Sequence, residues 1–414
     1  MTSPGDRHSV AGTMVFLVFV FALIPMMATD AVGLNMDVIP SVRLEEGWNS
    51  NVFNASTDEI SSFSTRVTPG LALKFTTTDK VEFKVSGNYE KVWYYRPEAK
   101  DADYGTFFFR IDSTGEIQVT PTLSMVPSVY YINTTNSSRR TQLLPSADPL
   151  VPPVTITNYG NTKTEDFGGG VGFHYLVTQN LTIGMSGTYT EQRFSDSTSG
   201  SGLRNSTSAG GGSSVSYLFS PRTSVGIGIS GNRQTYDNAA DTDTLSSGIV
   251  LGHQFSPADR FDATFGISHI RQHEAPGTPE QRSSTPSGTF SVSHTSATFT
   301  ANAFGSAVYS GGSGFGEATR QWTVGLAFSD AFTREWSGSL SGAYQVSRSV
   351  FTSNSVDLKS SSGTAGLRYR LWEWGSLDLT GNLNRQISDG QFGETLNSYS
   401  ALFGITIGKP YNVF

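Results

Sequence analysis

Between Val215 and Asn232 the chain reads VSYLFSPRTSVGIGISGN, and this stretch limits what the whole can fold into. Val215, Tyr217 and Phe219 alternate with Ser216 and Leu218. After Ser220-Pro221-Arg222-Thr223, Val225, Ile227 and Ile229 alternate with Gly226, Gly228 and Ser230. Successive side chains of a strand point to opposite faces. The pattern predicts a β-hairpin with one apolar face and one face of small or polar groups. The same unit recurs at Tyr175–Tyr189, His253–His269, Leu326–Tyr344 and Leu367–Leu383. Recurrence with the apolar face always outermost predicts one continuous sheet.

Such a sheet needs an apolar medium against its greasy face. Charged residues make up 15% of the chain, where a soluble domain carries about a quarter. With 44 Gly, 16 Tyr and 27 Phe, the composition fits a membrane sheet. No long apolar run outside the N-terminus offers a helical span. The fold expected is all-β, a transmembrane antiparallel up-and-down β-barrel of about 18 strands. Closure follows because each unpaired N–H or C=O in hydrocarbon costs several kcal/mol, roughly. A soluble sandwich or solenoid leaves Trp93, Tyr95, Tyr189, Tyr217, Trp322, Trp336 and Tyr344 unexplained on the outward stripe near strand ends. Interfacial aromatic girdles account for them.

Residues 1–31 read as a cleavable signal peptide. Arg7 and His8 precede the apolar Met14–Ala28, and Ala31 supplies a small residue at a cleavage point. Export plus a barrel places residues 32–414 in a bacterial outer membrane, in contact with its lipid. The net charge of −7 becomes −6 without Asp6, Arg7 and Asp30, which does not suggest nucleic acid as a partner. With no Cys, thiolate metal sites, disulfides and CxxCH haem attachment are excluded.

Short connections alternate with long ones along the chain, the layout of bacterial barrels, which puts both termini in the periplasm. The terminal Phe414 resembles the C-terminal signal read by the barrel-assembly machinery, although Pro410 interrupts the final strand. A long third outer loop is expected near 133–163. It carries Arg139, Arg140, Asp148 and four prolines, Pro145, Pro149, Pro152 and Pro153. Loops this long are usually functional or disordered. Its place after the fifth strand resembles that of the constriction loop of general porins, so an inward fold that narrows the pore is expected.

Alternation also assigns the inward face. If Phe83 and Val85 meet lipid, then Glu82, Lys84 and Glu90 line the pore. They are joined by Arg43, Glu45, Arg66, Lys74, Arg110, Asp112 and Glu116. The first quarter of the wall is thus charged and mixed in sign. The later wall is small and neutral except for Arg368 and Arg370 near the closing seam. A barrel of about 18 strands has room for an aqueous channel, and a Ser/Thr/Asn/Gly lumen suits a hydrated, mostly uncharged solute.

Chemistry-bearing motifs are few. Gly226–Gly231 matches GxGxxG but lies inside a strand with no helix after it, so it is no nucleotide loop. His269 and His273 lack a third ligand nearby, so no metal is expected. No Ser/His/Asp set has a distinguishing spacing, and neither an enzyme nor a cofactor is expected.

One segment goes beyond pattern. Leu44-Glu-Glu-Gly-Trp-Asn-Ser-Asn-Val-Phe53, followed by Phe63-Ser-Thr-Arg-Val-Thr-Pro-Gly-Leu71, resembles the opening of the beta-barrel porin 2 family. Ser50 stands where that pattern has Asp or Asn. The resemblance spans about 30 residues and implies an outer-membrane channel for exopolysaccharide export, working with periplasmic and inner-membrane secretion components. Alternatives are a porin for small hydrophilic solutes and a barrel sheath of an outer-membrane electron conduit.

Overall fold

In the computed structural model the described residues are 35–55, 58–76, 82–114, 117–135, 162–195, 204–237, 239–274, 279–310, 318–351, 356–390 and 395–412. The leader 1–31 and Phe414 lie outside them, as do Glu116 and residues 136–161 with Arg139, Arg140 and Asp148.

One antiparallel sheet of twenty segments holds the chain. They are β1 (Asn35–Asn49), β2 (Ser62–Thr76), β3 (Glu82–Tyr94), β4 (Tyr104–Thr114), β5 (Ile117–Thr120), β6 (Leu123–Thr134) and β7 (Thr164–Thr178). Next come β8 (Leu181–Phe194), β9 (Ser206–Ser220), β10 (Thr223–Tyr236), β11 (Thr242–Gln254), β12 (Asp259–Gln272) and β13 (Gln281–Thr295). The last are β14 (Phe299–Ser310), β15 (Thr319–Ala331), β16 (Trp336–Ser349), β17 (Val356–Trp372), β18 (Gly375–Gly390), β19 (Thr395–Gly408) and β20 (Tyr411–Asn412).

β4 and β5 both pair with β6 and make one stave broken at 115–116. β20 continues β19 past Lys409-Pro410 and pairs with β1. The result is eighteen staves, closed by β1 against β19 from Ser41↔Gly408 to Asn49↔Ser400. Pro410 is therefore a break in the last stave, and the chain resumes pairing at Tyr411↔Val38.

The tight-turn end owes its geometry to short polar side chains. At six turns a Ser or Thr hydroxyl accepts a backbone N–H two or three residues on. Thr120 accepts from Leu123, Thr178 from Leu181, Ser220 from Arg222, Ser256 from Asp259, Ser296 from Phe299 and Thr333 from Trp336. Such local bonds favour a turn over continued strand. Val38 and Tyr411, near the two ends of the described chain, pair at this same end.

The outer wall is apolar and exposed: Ile227 is 65% accessible, Leu340 56% and Val324 55%. Aromatics bound this band on both sides. Phe219, Phe255, Phe332 and Trp336 stand at the turn end, and Trp48, Phe63, Trp93, Tyr189 and Tyr344 at the loop end. Trp336 and Tyr344 lie eight residues apart on β16. At about 3.4 Å per residue and a tilt of about 40° this spans roughly 21 Å of height, close to the apolar band of a transmembrane barrel.

Candidate functional site

The inward face follows from the register. Glu45 pairs with Arg66, and Thr106 pairs with Glu90, while Trp48, Phe63 and Trp93 take the outward positions. Arg66, on β2, is the centre of an ion-pair network. Its guanidinium lies 3.6 Å from Glu45 and 3.7 Å from Glu90, and it reaches the Tyr104 hydroxyl at 3.5 Å. Arg43 completes the pairing of Glu45 at 2.9 Å.

The network crosses the closing seam. Gly404 on β19 pairs with Glu45 on one side and with Asp378 on the other. A Cβ at Gly404 would come within 2.7 Å of the Glu45 Cγ, so glycine leaves the room that this carboxylate needs. Asp378 accepts from Arg368 Nε at 2.6 Å and from the Ser376 and Thr406 hydroxyls, each at 3.1 Å. Arg368, Asp378, Arg43, Glu45, Arg66 and Glu90 thus form one belt whose formal charges cancel. Alternation reads Arg368 and Arg370 as exceptions on a small, neutral wall near the closing seam, and the register across that seam lines Arg368 up with Asp378, Gly404 and Glu45. Arg370 sits opposite Ser376, nearer the tight-turn rim and in the row of Thr406 and Arg43.

A second charged row runs closer to the turn end. Asp37, Lys74, Lys84 and Asp112 follow one another in register across four staves. Arg110 bonds Asp112 at 2.7 Å. The backbone of Glu82 pairs with Thr114, but its side chain lies outside the described residues.

The mouth above Arg66 is narrowed by residues of the β1–β2 and β3–β4 loops. Val52, Ala99 and Ala102 from these loops pack against the inward-facing Val92, Tyr94 and Tyr104, forming a buried cluster. Asn51 fixes the first loop. Its side-chain amide donates to the carbonyls of Ala55 at 2.6 Å and Asn397 at 3.0 Å, and its oxygen accepts from the Ala55 N–H at 2.9 Å. Ser50 Oγ accepts the Tyr399 N–H at 2.9 Å. The second loop opens with a 3-10 turn, Pro97–Ala102, and Asp103 accepts the Tyr94 N–H at 2.7 Å. The signal for this packing lies in the apolar residues of these loops, Val52, Phe53, Ile60, Ala99 and Ala102.

The opposite wall carries few charges, chiefly the Arg260–Asp262 pair at 2.6 Å on β12. A hollow of about 490 Å3 is lined by Ser186, Ser214, Ser230, Ser246, Ser268 and Ser287 among glycines. Ser246, Ser268 and Ser287 form a hydroxyl chain with spacings of 2.7 and 2.8 Å. Two inward aromatics do not obstruct it. A Cβ at Gly168 or Gly325 would strike the ring of Tyr130 or Phe304, so each ring lies against its glycine. His269 bonds Ser284 and His273 bonds Asp243, each at 2.7 Å, so the two histidines do not converge.

No protein-family model matches the chain, and no curated protein matches it in sequence. Solved structures of similar build include the outer membrane protein OpdK of Pseudomonas aeruginosa. It is 11% identical over 91% of this chain and 99% of that one, with a TM-score of 0.44. Two more from that organism are OccK9 (OpdG), with 11% identity, 91% and 98% coverage and TM-score 0.45, and OccK2 (OpdF) in complex with glucuronate, with 10%, 92%, 99% and 0.45. What this barrel passes is read from its own wall.

Proposed function

We propose that the chain is a passive outer-membrane channel for small hydrophilic solutes, with its long loops outside and its termini in the periplasm. The observation that carries this reading is the pairing of an apolar outer wall with a bore that is charge-balanced on one side and hydroxyl-lined on the other. A charge-balanced belt opposite a neutral wall favours no single sign of ion, and a glycine-rich wall leaves space for water and solute. Nothing in the mechanism is chemical: a solute enters between the loops, passes Arg66 and the serine wall, and leaves down its gradient.

Export of exopolysaccharide is the second reading. It is supported by the resemblance at Leu44–Phe53 and Phe63–Leu71. In the barrel these residues form the closing hairpin and the pinned loop at the mouth, with Asn51 and Ser50 holding that loop to the backbone of Asn397 and Tyr399. Two measurements separate the readings. A solute channel conducts in planar bilayers with no partner protein, and deleting it leaves surface polysaccharide unchanged. A barrel silent alone, whose deletion abolishes surface polysaccharide, would sink the first reading and uphold the second.

A further inference from the structure

On the inner wall from β8 to β13 the register sets three rows of side chains beside one another. The middle row is Gly184, Ser214, Gly228, Gly248, Gly266 and Ser287. The row on its loop-end side is Ser186, Gly212, Ser230, Ser246, Ser268 and Thr285. The row on its turn-end side is Thr182, Ser216, Gly226, Val250, Thr264 and Thr289. A trough floored by backbone thus runs between two rails rich in hydroxyls. Rows on one face lie about 7 Å apart, and six staves span about 24 Å. Because the strands tilt, the trough climbs along the bore. Gly184 stands three residues from the turn end of β8, and Ser287 eight from that of β13. His174 of β7 continues the middle row at its lower end. Among the described residues of these six staves the inward-facing charges are Arg260 and Asp262, paired with each other at 2.6 Å.

The sheet itself does not ask for all of these glycines. A Cβ at Gly248 or Gly266 would strike backbone, at 2.7 Å from the Phe265 oxygen and 2.1 Å from the Ser247 oxygen. At Gly228 the nearest atoms would be 3.8 and 3.9 Å away, an ordinary contact. A strand glycine that no neighbouring backbone crowds marks a place where a ligand comes close. The upper end of the trough holds a second sign. The ladder between β13 and β14 stops at Gly288↔Ala307, which frees the end of β14 from β13. Val308 and Tyr309 from that end line the same hollow as Gly228, Gly266 and Ser287. The Tyr309 ring packs against the cluster of buried Ile270. Its hydroxyl is covered and has no hydrogen-bond partner among the described residues, and a buried polar group left so calls for a partner.

We propose that this ramp is a binding track for a linear, uncharged oligosaccharide. The sugar rings lie on the glycine floor, the two rails bond their hydroxyls, and the leading ring meets the Tyr309 hydroxyl. Serine and threonine hydroxyls both donate and accept, as sugar hydroxyls do. With its one ion pair already closed, the track holds no spare cation for an acidic sugar. The inference rests on the small-solute reading and names the solute.

The test measures equilibrium binding by titration calorimetry on the whole mature barrel in detergent, so it does not depend on conduction. The probes are maltohexaose, cellopentaose and, as the acidic counterpart, trigalacturonate. Wild type is expected to bind at least one of the two neutral glycans at least fivefold more tightly than glucose or trigalacturonate. G228V fills the floor where a side chain has room, and valine suits a strand. It is expected to fold and to weaken that binding at least fivefold. Y309F removes a hydroxyl that has no protein partner to lose. It is expected to keep the wild-type midpoint in heat-modified gel mobility, to weaken binding at least threefold, and to serve alone if G228V does not fold. G381A, on the outer wall, is expected to bind as wild type does. A wild type that binds neither neutral glycan, or undiminished binding in either variant, overturns the track even where the barrel conducts. Binding lost in both variants upholds the track even for a barrel silent in planar bilayers, the result that sinks the solute-channel reading.

Discussion

Arg66 lies 3.6 Å from Glu45 across the first hairpin, and the Glu45 side chain is only 3% exposed. A carboxylate so covered depends on its counter-charge, because removing one partner of a buried pair leaves an uncompensated charge at a cost of about 3–5 kcal/mol. R66Q also leaves the belt one negative charge in excess. The variant is expected to unfold at lower temperature, and its reversal potential in a KCl gradient is expected to shift toward potassium. E45Q is expected to shift it toward chloride. Equal reversal potentials in all three proteins would remove the belt from the conduction path.

Asn51 is wholly buried and bonds both its own loop and Asn397 across the seam. Replacing it by alanine leaves backbone partners unmet in a covered place, at about 1–3 kcal/mol. N51A is expected to release the loop from the bore, raising mean single-channel conductance and speeding proteolysis within residues 50–61. Unchanged conductance would mean that this loop does not set the narrowest section.

The barrel was readable from alternation because every side chain must choose between oil and water, and one residue of slippage would exchange the faces. Val225, Ile227 and Ile229 are outward and Gly226, Gly228 and Ser230 inward, as their spacing implies. Seam crossing was harder to read. Arg43 and Arg368 are more than three hundred positions apart, and only the closing register, Glu45↔Gly404↔Asp378, sets them on one belt. The inward loops left a fainter trace, since alternation has no period inside a loop. The turns left a clear one: a Ser or Thr at 120, 178, 220, 256, 296 and 333 marks six of the seven described tight reversals, Trp372–Gly375 being the exception.

That turn chemistry is testable at Thr333, whose hydroxyl accepts the N–H groups of Glu335 and Trp336 at 3.1 and 3.0 Å. T333V keeps the shape and removes the acceptor. The expected loss is about 1 kcal/mol, read as a lower midpoint in heat-modified gel mobility. Conductance is expected to stay as in wild type, because the turn lies outside the bore.

The two faces are expected to respond oppositely to charge. I227R sets a guanidinium on the outward wall near mid-height and is expected to cost about 2–4 kcal/mol, seen as reduced refolding yield into phosphatidylcholine vesicles. S230R places the same group in the lumen beside Ser246. It is expected to refold normally and to lower conductance. Normal refolding of I227R together with failure of S230R would invert the assignment of faces.

Two glycines on the inward and outward rows give the final contrast. A Cβ at Gly266 would stand 2.1 Å from the Ser247 carbonyl oxygen and 2.8 Å from the Gly248 Cα, both backbone atoms. Gly381 has nothing within 4 Å of the same point. Backbone cannot rotate away as a side-chain tip can, so G266A forces β11 and β12 apart at a cost of about 1–3 kcal/mol. G381A meets open space and removes the unfolded-state freedom of glycine, a gain of about 0.4–1 kcal/mol. Heat-modified gel mobility is expected to show a lower midpoint for G266A and an equal or higher one for G381A. A G266A midpoint equal to wild type would show that these two strands are not drawn together by their facing glycines.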